Sequence, residues 1–362
     1  MKRLRRVTRV LAVLAFLLSG PLAESYADGQ DVGGDGKLSE IESAFAEAFD
    51  SQNYAQMVKA GLPLAERLPG DTHLQFLLSQ AYVNLDDHEN ALKWLTKCAE
   101  GGYRNIGPSK KWKDFKALEK DPKYEQAMAL IRESRTKGWE AFTQAIKAKK
   151  PLVVLPPKHD SETSMPILLV LHRRGGTPEE IAEVFKPVAA RIGAVLVAPR
   201  SIHKAAEGGW TWGTEHGWRY QRESVHEAVA TVLTAAEGVV KEYPINHEKF
   251  LVAGFSQGAD VALWVTAHQS ILVSGVLAIA PRDYELFERY RGSIRPMAPK
   301  FYLLVGSKDE RLADVLQIED QVRGANMPVT VNVLDGLGHE IPKDPNDVLM
   351  KAMNYLLDRD GG

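Results

Sequence analysis

Ser256 stands in the run Gly254-Phe255-Ser256-Gln257-Gly258. A serine hydroxyl is a weak nucleophile at neutral pH. It attacks a carbonyl only when a base takes its proton and an acid orients that base. The apolar run Phe250–Phe255 precedes the serine, and Val261, Ala262, Leu263 and Trp264 follow it at helical spacing. Gly-x-Ser-x-Gly between a buried strand and a helix is the pattern of a nucleophile lifted on a tight strand-to-helix turn. Glycines on either side remove the side chains that would collide there. The free N–H groups and partial positive charge of the helix N-terminus suit a developing oxyanion.

A base and an acid must follow in the chain, because this arrangement runs in the order Ser, acid, His. The apolar run Phe301–Val305 ends in Gly306-Ser307-Lys308-Asp309, and Val329–Leu334 ends in Asp335-Gly336-Leu337-Gly338-His339-Glu340. Asp309 is thus expected at the carboxyl end of a strand, where open α/β sheets carry their ligands and chemistry. His339 follows on a Gly-rich loop. Of the ten histidines it alone lies beyond both Ser256 and Asp309. Glu310 reads as a charge at the start of a helix, and Asp335 and Glu340 lie too near His339 in the chain to orient its ring. The expected catalytic set is Ser256, Asp309 and His339.

Two oxyanion donors are expected: the backbone N–H of Gln257, and that of Arg173 or Arg174 on the loop after Ile167–Leu171. Those arginines read equally as surface charges or as groups that recognise an acidic substrate. Trp210, Trp212, Trp218 and Tyr220 lie among Gly208, Gly209, Gly213 and Gly217. They read either as a substrate wall or as packing against the sheet edge or the N-terminal domain. No Walker A, Gly-x-Gly-x-x-Gly or His-Glu-x-x-His pattern is present, so nucleotide, dinucleotide and zinc-peptidase readings lack their minimum parts and no cofactor is expected. Cys98, the single cysteine, allows no internal disulfide and reads as a small core residue.

The elements that must position these residues alternate. Apolar runs at Leu152–Leu155, Ile167–Leu171, Ala194–Ala198, Phe250–Phe255, Gly275–Ala280, Phe301–Val305 and Val329–Leu334 are separated by helical patterns at Pro178–Arg191, Arg222–Glu242, Gln257–His268, Asp309–Arg323 and Asp344–Leu357. Continuous apolar strands with helical crossovers predict a mostly parallel sheet covered on both faces, with the first strand an antiparallel edge. Thr177, Pro178 and Glu180 mark a helix start.

Residues 36–147 read as helical. Leu74, Phe76, Leu77, Ala81, Tyr82 and Leu85, a turn at Asp86-Asp87-His88, then Ala91, Leu92, Leu95, Cys98 and Ala99 describe a helical hairpin. It resembles a tetratricopeptide repeat, and Met57 aligns with Ala91 at the 34-residue period of that repeat. Ser39–Phe49 would open the earlier copy. Trp112–Glu133 reads as an atypical terminal helix. Pro151 and Pro156-Pro157 mark the junction to an α/β domain at 151–360.

The chain opens with Lys2, Arg3, Arg5, Arg6 and Arg9, then the apolar Val10–Leu18, then small residues at Ser25 and Ala27. That is the form of a signal peptide cleaved after Ala27, so export to the periplasm or the medium is expected. The run is too short for a comfortable membrane span, which needs about 20 residues. A formal net charge of −2 argues against a nucleic-acid partner, whose phosphates demand basic patches.

Gly-Phe-Ser-Gln-Gly-Ala at 254–259, Leu171-His172 with Gly175-Gly176, Gly306-Ser307-Lys308-Asp309 and Gly338-His339 together resemble the phospholipase/carboxylesterase group of α/β hydrolases, which is similar to dienelactone hydrolases. The resemblance covers about Leu152 to Leu357 and implies hydrolysis of a small carboxylic ester or thioester without a metal. That group usually has Gly after the loop histidine, whereas Arg173 follows His172 here. A peptidase or amidase of the same fold is the alternative. So is a non-catalytic interaction protein, with a protein or peptide partner on the helical repeats.

Overall fold

The structure is a computed structural model and describes residues 41–49 apart from 42 and 46, and residues 51–103, 115–159, 162–205, 208–213, 222–268, 272–282 and 299–359. The expected signal segment, Trp112, Trp218 and Tyr220 lie outside the described residues. The described residues divide into two units, a helical one up to Gln144, to which Arg222 also falls, and an α/β one that holds the rest from Ala145 onward.

In the helical unit, residues 41–49 are helical where described and precede α1 (Tyr54–Arg67), α2 (Thr72–Asn84) and α3 (His88–Glu100). Each of the three starts on a side-chain cap. Asn53 accepts from the Gln56 N–H at 3.1 Å, Asp71 from Leu74 at 2.9 Å and Asp87 from Asn90 at 3.1 Å. These satisfy donors that a helix N-terminus leaves open. Tyr54 and His88, the first residues of α1 and α3, are 34 positions apart. Ala91, Leu95 and Cys98 point into the core with Phe45, Met57, Leu64, Leu78 and Ala81. The small Ala91 lets α2 approach closely enough for the buried Ser79 Oγ to donate to the Ala91 carbonyl at 2.7 Å.

The terminal helix differs from the sequence expectation. Phe115–Leu118 is a 3-10 turn, and α4 runs over Pro122–Ala148. Pro122 sets the break, because proline fits the first turn of a helix, where no N–H is needed, and not its interior. Asp121 accepts from the Lys123 N–H at 2.8 Å. No further proline follows until Pro151, so the helix runs well past Glu133.

The α/β unit carries a seven-stranded sheet in the order β1-β3-β2-β6-β7-β8-β9. Its strands are β1 (Leu152–Val154), β2 (Met165–Leu171), β3 (Val195–Ala198), β6 (Ile245–Phe255), β7 (Gly275–Ile279), β8 (Lys300–Gly306) and β9 (Val329–Leu334). β1 is antiparallel to β3 and the other pairs are parallel. All residues of β2, β3 and β7 are buried, as expected of strands covered by helices on both faces. The helices are α5 (Pro178–Ile192), α6 (Arg222–Glu242), α7 (Gln257–His268), α8 (Leu312–Gly324) and α9 (Asn346–Leu356). Thr177 and Glu180 form a reciprocal capping box at the start of α5.

Three local outcomes depart from the sequence reading. α8 begins at Leu312 rather than Asp309, because the Asp309 carboxylate takes the Arg311 N–H at 2.9 Å and holds a turn there. β6 begins at Ile245, five residues before the apolar run. A short hairpin, β4 (His203–Lys204) with β5 (Trp210–Thr211), stands where a loop was expected. Among the described residues no helix is long and apolar enough to cross a membrane.

The register sets up the site. Leu171 pairs with Gly254, Phe255 with Ile279, Ile279 with Leu304, and Gly306 with Leu334. The carboxyl ends of β2, β6, β7, β8 and β9 therefore lie along one rim. The loops holding His172, Ser256, Asp309 and His339 all leave from it.

Candidate active site

Ser256 joins β6 to α7 with φ 56°, a left-handed conformation that costs a non-glycine residue about 1–2 kcal/mol. It is held there from both sides. Its N–H donates to Ile279 O at 2.9 Å, and its carbonyl accepts from the Ala259 N–H at 2.8 Å. A Cβ on Gly254 would lie 2.1 Å from the Gly258 carbonyl oxygen, and one on Gly258 would lie 2.2 Å from Leu171 O. The missing side chains allow α7 to start flush against β6 and the end of β2. Ser256 is 8% exposed, so its hydroxyl sits in a recess.

His339 reaches that hydroxyl across 83 residues of chain. Its Nε2 is 3.0 Å from Ser256 Oγ, and its Nδ1 is 2.9 Å from Asp309 Oδ2. The ring packs on Phe255 at 5.1 Å between centroids. The Asp309 side chain is 1% exposed against 33% for His339, and its other oxygen is occupied by the Arg311 N–H. The Arg311 side chain is tied in turn, Nη1 donating to Ala280 O at 3.1 Å. The His339 loop rests on the end of β8. Lys308 N donates to Leu337 O at 2.9 Å, and a Cβ on Gly306 would meet that same oxygen at 2.1 Å.

The rival acids are engaged elsewhere. Glu310 does not start the helix, as the sequence suggested. It precedes it and pairs with Arg282 at 2.8 Å. Asp335 accepts from Ser307 Oγ at 3.2 Å.

Beside the elbow, β2 ends in His172, buried and stacked on Trp212 at 4.7 Å. Its Nδ1 donates to Arg173 O at 2.8 Å. Burial pulls its pKa down to about 4, so the ring is neutral at pH 7. Among the described residues, the backbone N–H groups of Arg173 and Gln257 have no hydrogen-bond acceptor. Gln257 follows Ser256, and the close approach of Gly258 to Leu171 O and His172 O brings the Arg173 loop alongside. Arg174 lies one residue further along, and the Arg173 guanidinium donates to its carbonyl at 3.1 Å.

Residues 153–282 match the phospholipase/carboxylesterase family model. This segment is similar to that family of α/β hydrolases. Among solved structures, a carboxylesterase of Bacillus cereus is 17% identical, over 58% of this chain and 95% of that one, with a TM-score of 0.46. A phospholipase/carboxylesterase of Dyadobacter fermentans is 18% identical, over 57% and 96%, with a TM-score of 0.44. An uncharacterized protein of Bacillus cereus is 17% identical, over 89% and 99%, with a TM-score of 0.48. No curated protein matches the chain.

Trp210 and Trp212 differ in burial. Trp212 is 1% exposed, donates Nε1–H to His172 O at 2.8 Å and lines no open surface. Of the two readings given to it, packing fits Trp212, because both its ring and its donor are spent on the β2 end. Trp210 remains half-buried on the hairpin, and Trp218 lies outside the described residues.

Sequence reasoning missed the Gln257 side chain. Its Oε1 accepts from the Trp212 N–H at 3.0 Å, and its Nε2 donates to Thr211 Oγ1 at 3.0 Å. It missed Arg311 as well. Neither residue carries a pattern that marks it in the sequence. Among the described residues no group of three His, Cys, Asp or Glu side chains could hold a metal ion.

Proposed function

We propose that the α/β unit is a serine carboxylesterase acting through an acyl-enzyme. The observation that carries this reading is the continuous hydrogen-bond run from Asp309 Oδ2 through both ring nitrogens of His339 to Ser256 Oγ. His339 Nε2 takes the hydroxyl proton as Ser256 Oγ attacks the ester carbonyl. Asp309 holds the Nδ1–H tautomer and offsets the imidazolium charge. The backbone N–H of Gln257, with that of Arg173 or Arg174, receives the oxyanion. His339 then gives its proton to the leaving alcohol. A water molecule, deprotonated by the same ring, hydrolyses the acyl-serine. The family match agrees with an ester substrate.

The test is hydrolysis of a short-chain 4-nitrophenyl ester, together with labelling by a serine-directed fluorophosphonate. Ser256→Ala is expected to lose both and to retain its fold by circular dichroism. Activity near wild type in Ser256→Ala would overturn the assignment. Faster cleavage of an aminoacyl 4-nitroanilide than of the ester would replace esterase by amidase.

The same proposal covers the rest of the chain. Export rests on the basic opening and the apolar Val10–Leu18, and N-terminal sequencing of the exported protein is expected to begin at Asp28. A tetratricopeptide-like role for the helical unit in holding a peptide rests on the 34-residue spacing of α1 and α3.

A further inference from the structure

The hairpin β4–β5 carries a cluster of cations with too few partners. Lys204 Nζ lies 3.5 Å from the centre of the Trp210 ring, Lys149 Nζ lies 3.8 Å from it, and the Arg200 guanidinium carbon lies 5.6 Å from it. Glu179 pairs with Arg200. Among the described residues, neither lysine has a carboxylate partner. Among the described residues, Lys149 donates only to the carbonyl of Ser201, at 3.4 Å. Burial, and next to it the charges of Lys204 and Arg200, hold the Lys149 pKa below the usual lysine range. Like charges brought together at a partly dried aromatic surface repel each other, and an incoming anion would relieve that repulsion. An aromatic face that steadies ammonium groups by cation–π attraction keeps them in place without neutralising them.

The cluster is linked to the turn that carries the serine. Trp210 is stitched to the oxyanion-side loop, its N–H donating to Gly176 O at 3.1 Å and its carbonyl accepting from Gly175 N–H at 2.9 Å. One and two residues on, Thr211 and Trp212 are bonded to the side chain of Gln257, the residue after Ser256. About 7 Å of extended chain separates Trp210 from Trp212. Arg200 follows the carboxyl end of β3, on the same rim of the sheet.

We propose that Lys149, Lys204 and Arg200, arranged about Trp210, form a subsite for an anionic group of the substrate, so that the preferred ester carries a free carboxylate at one end. This rests on the esterase reading above.

The experiment compares mono-4-nitrophenyl glutarate, which bears a carboxylate, with neutral 4-nitrophenyl butyrate. The variant is Lys149→Met with Lys204→Met, which removes the charges and keeps apolar stems on Trp210. Its ratio of kcat/KM for the anionic over the neutral ester is expected to fall about tenfold, mostly through KM, about one decade for a lost charge-assisted contact. The wild-type ratio is expected to fall as salt rises. If the double variant does not fold, Lys204→Met alone, at an exposed position, is expected to give a smaller fall. An unchanged ratio in a folded variant overturns the subsite.

Calorimetric titration with glutarate separates this outcome from failure of the esterase reading. If wild type cleaves neither ester but binds glutarate, and the variant binds it more weakly, the esterase reading falls and the subsite stands. Equal binding by wild type and variant overturns the subsite.

Discussion

The Gln257 side chain clasps the backbone of Trp212, its Oε1 accepting the Trp212 N–H at 3.0 Å. One residue thus lends its main chain to the Ser256 turn and its side chain to the neighbouring loop. Gln257→Ala would leave the Trp212 N–H and the Thr211 hydroxyl without their partner in a buried site, each at about 1–3 kcal/mol. A lowered midpoint in urea unfolding and a reduced kcat on 4-nitrophenyl esters are expected. Gln257→Glu keeps the acceptor, and the Thr211 hydroxyl can turn to donate to it, so both losses are expected to be smaller.

Asp309→Asn separates orientation from structure. The amide oxygen can still accept the Arg311 N–H, as Asp309 does at 2.9 Å, but the amide nitrogen then faces His339 Nδ1 and imposes the wrong tautomer. A loss of about 10³–10⁴ in kcat, with little change in unfolding temperature, is expected. A fall of less than tenfold would remove Asp309 from the role proposed for it.

Gly306→Ala places a methyl group 2.1 Å from Leu337 O. Backbone cannot yield as a flexible side chain does, so the loop carrying His339 must move. The expected result is a loss of activity with the pH profile retained in form. The conservative control is Gly324→Ala, where the added Cβ meets nothing within 4 Å. It is expected to keep full activity.

Burial of His172 links stability to pH. Its pKa stands near 4 in the folded chain and near 6.5 when unfolded. Above pH 6.5 both states are neutral at this ring and it adds no slope. Between pH 6.5 and 4 the unfolded chain takes up a proton that the folded chain refuses, so stability falls as pH falls. The contribution is about 3 kcal/mol once pH is below 4. His172→Asn removes the titration, and urea unfolding at pH 7 and pH 4.5 is expected to show a smaller acid loss in the variant than in wild type.

Cys98 donates its thiol to Leu95 O at 3.1 Å and is fully buried, and burial pushes its pKa up. A disulfide reagent such as Ellman's is expected to leave it unmodified in the folded protein and to react once the protein is unfolded in guanidinium. Rapid reaction under native conditions would contradict its place in the helical core.

Much of the fold was legible because it is coded locally. The spans of α6 and α7 follow from apolar spacing between breakers. The start of α5 follows from Thr177, Pro178 and Glu180, whose capping chemistry involves only near neighbours. What escaped was set by partners distant in sequence. The β4–β5 hairpin has no alternating apolar pattern. It is fixed by a two-residue ladder and by the bridge from Gly176 to Trp210. The start of α8 was misplaced because the Asp309 carboxylate captures an N–H that helix propensity alone would have assigned to the helix.

From its own residues the chain determined an α/β sheet and a short list of candidate site groups. A strand-then-helix turn around Ser256, an acid after β8 and a histidine after β9 each depend on a few adjacent residues. Only the tertiary structure decided that His339 lies 3.0 Å from Ser256 Oγ and 2.9 Å from Asp309, that Trp212 packs while Trp210 gathers cations, and that Gln257 holds a loop. Those outcomes depend on strand register and on backbone approaches across the sheet rim, where pairing partners come from segments tens of residues apart.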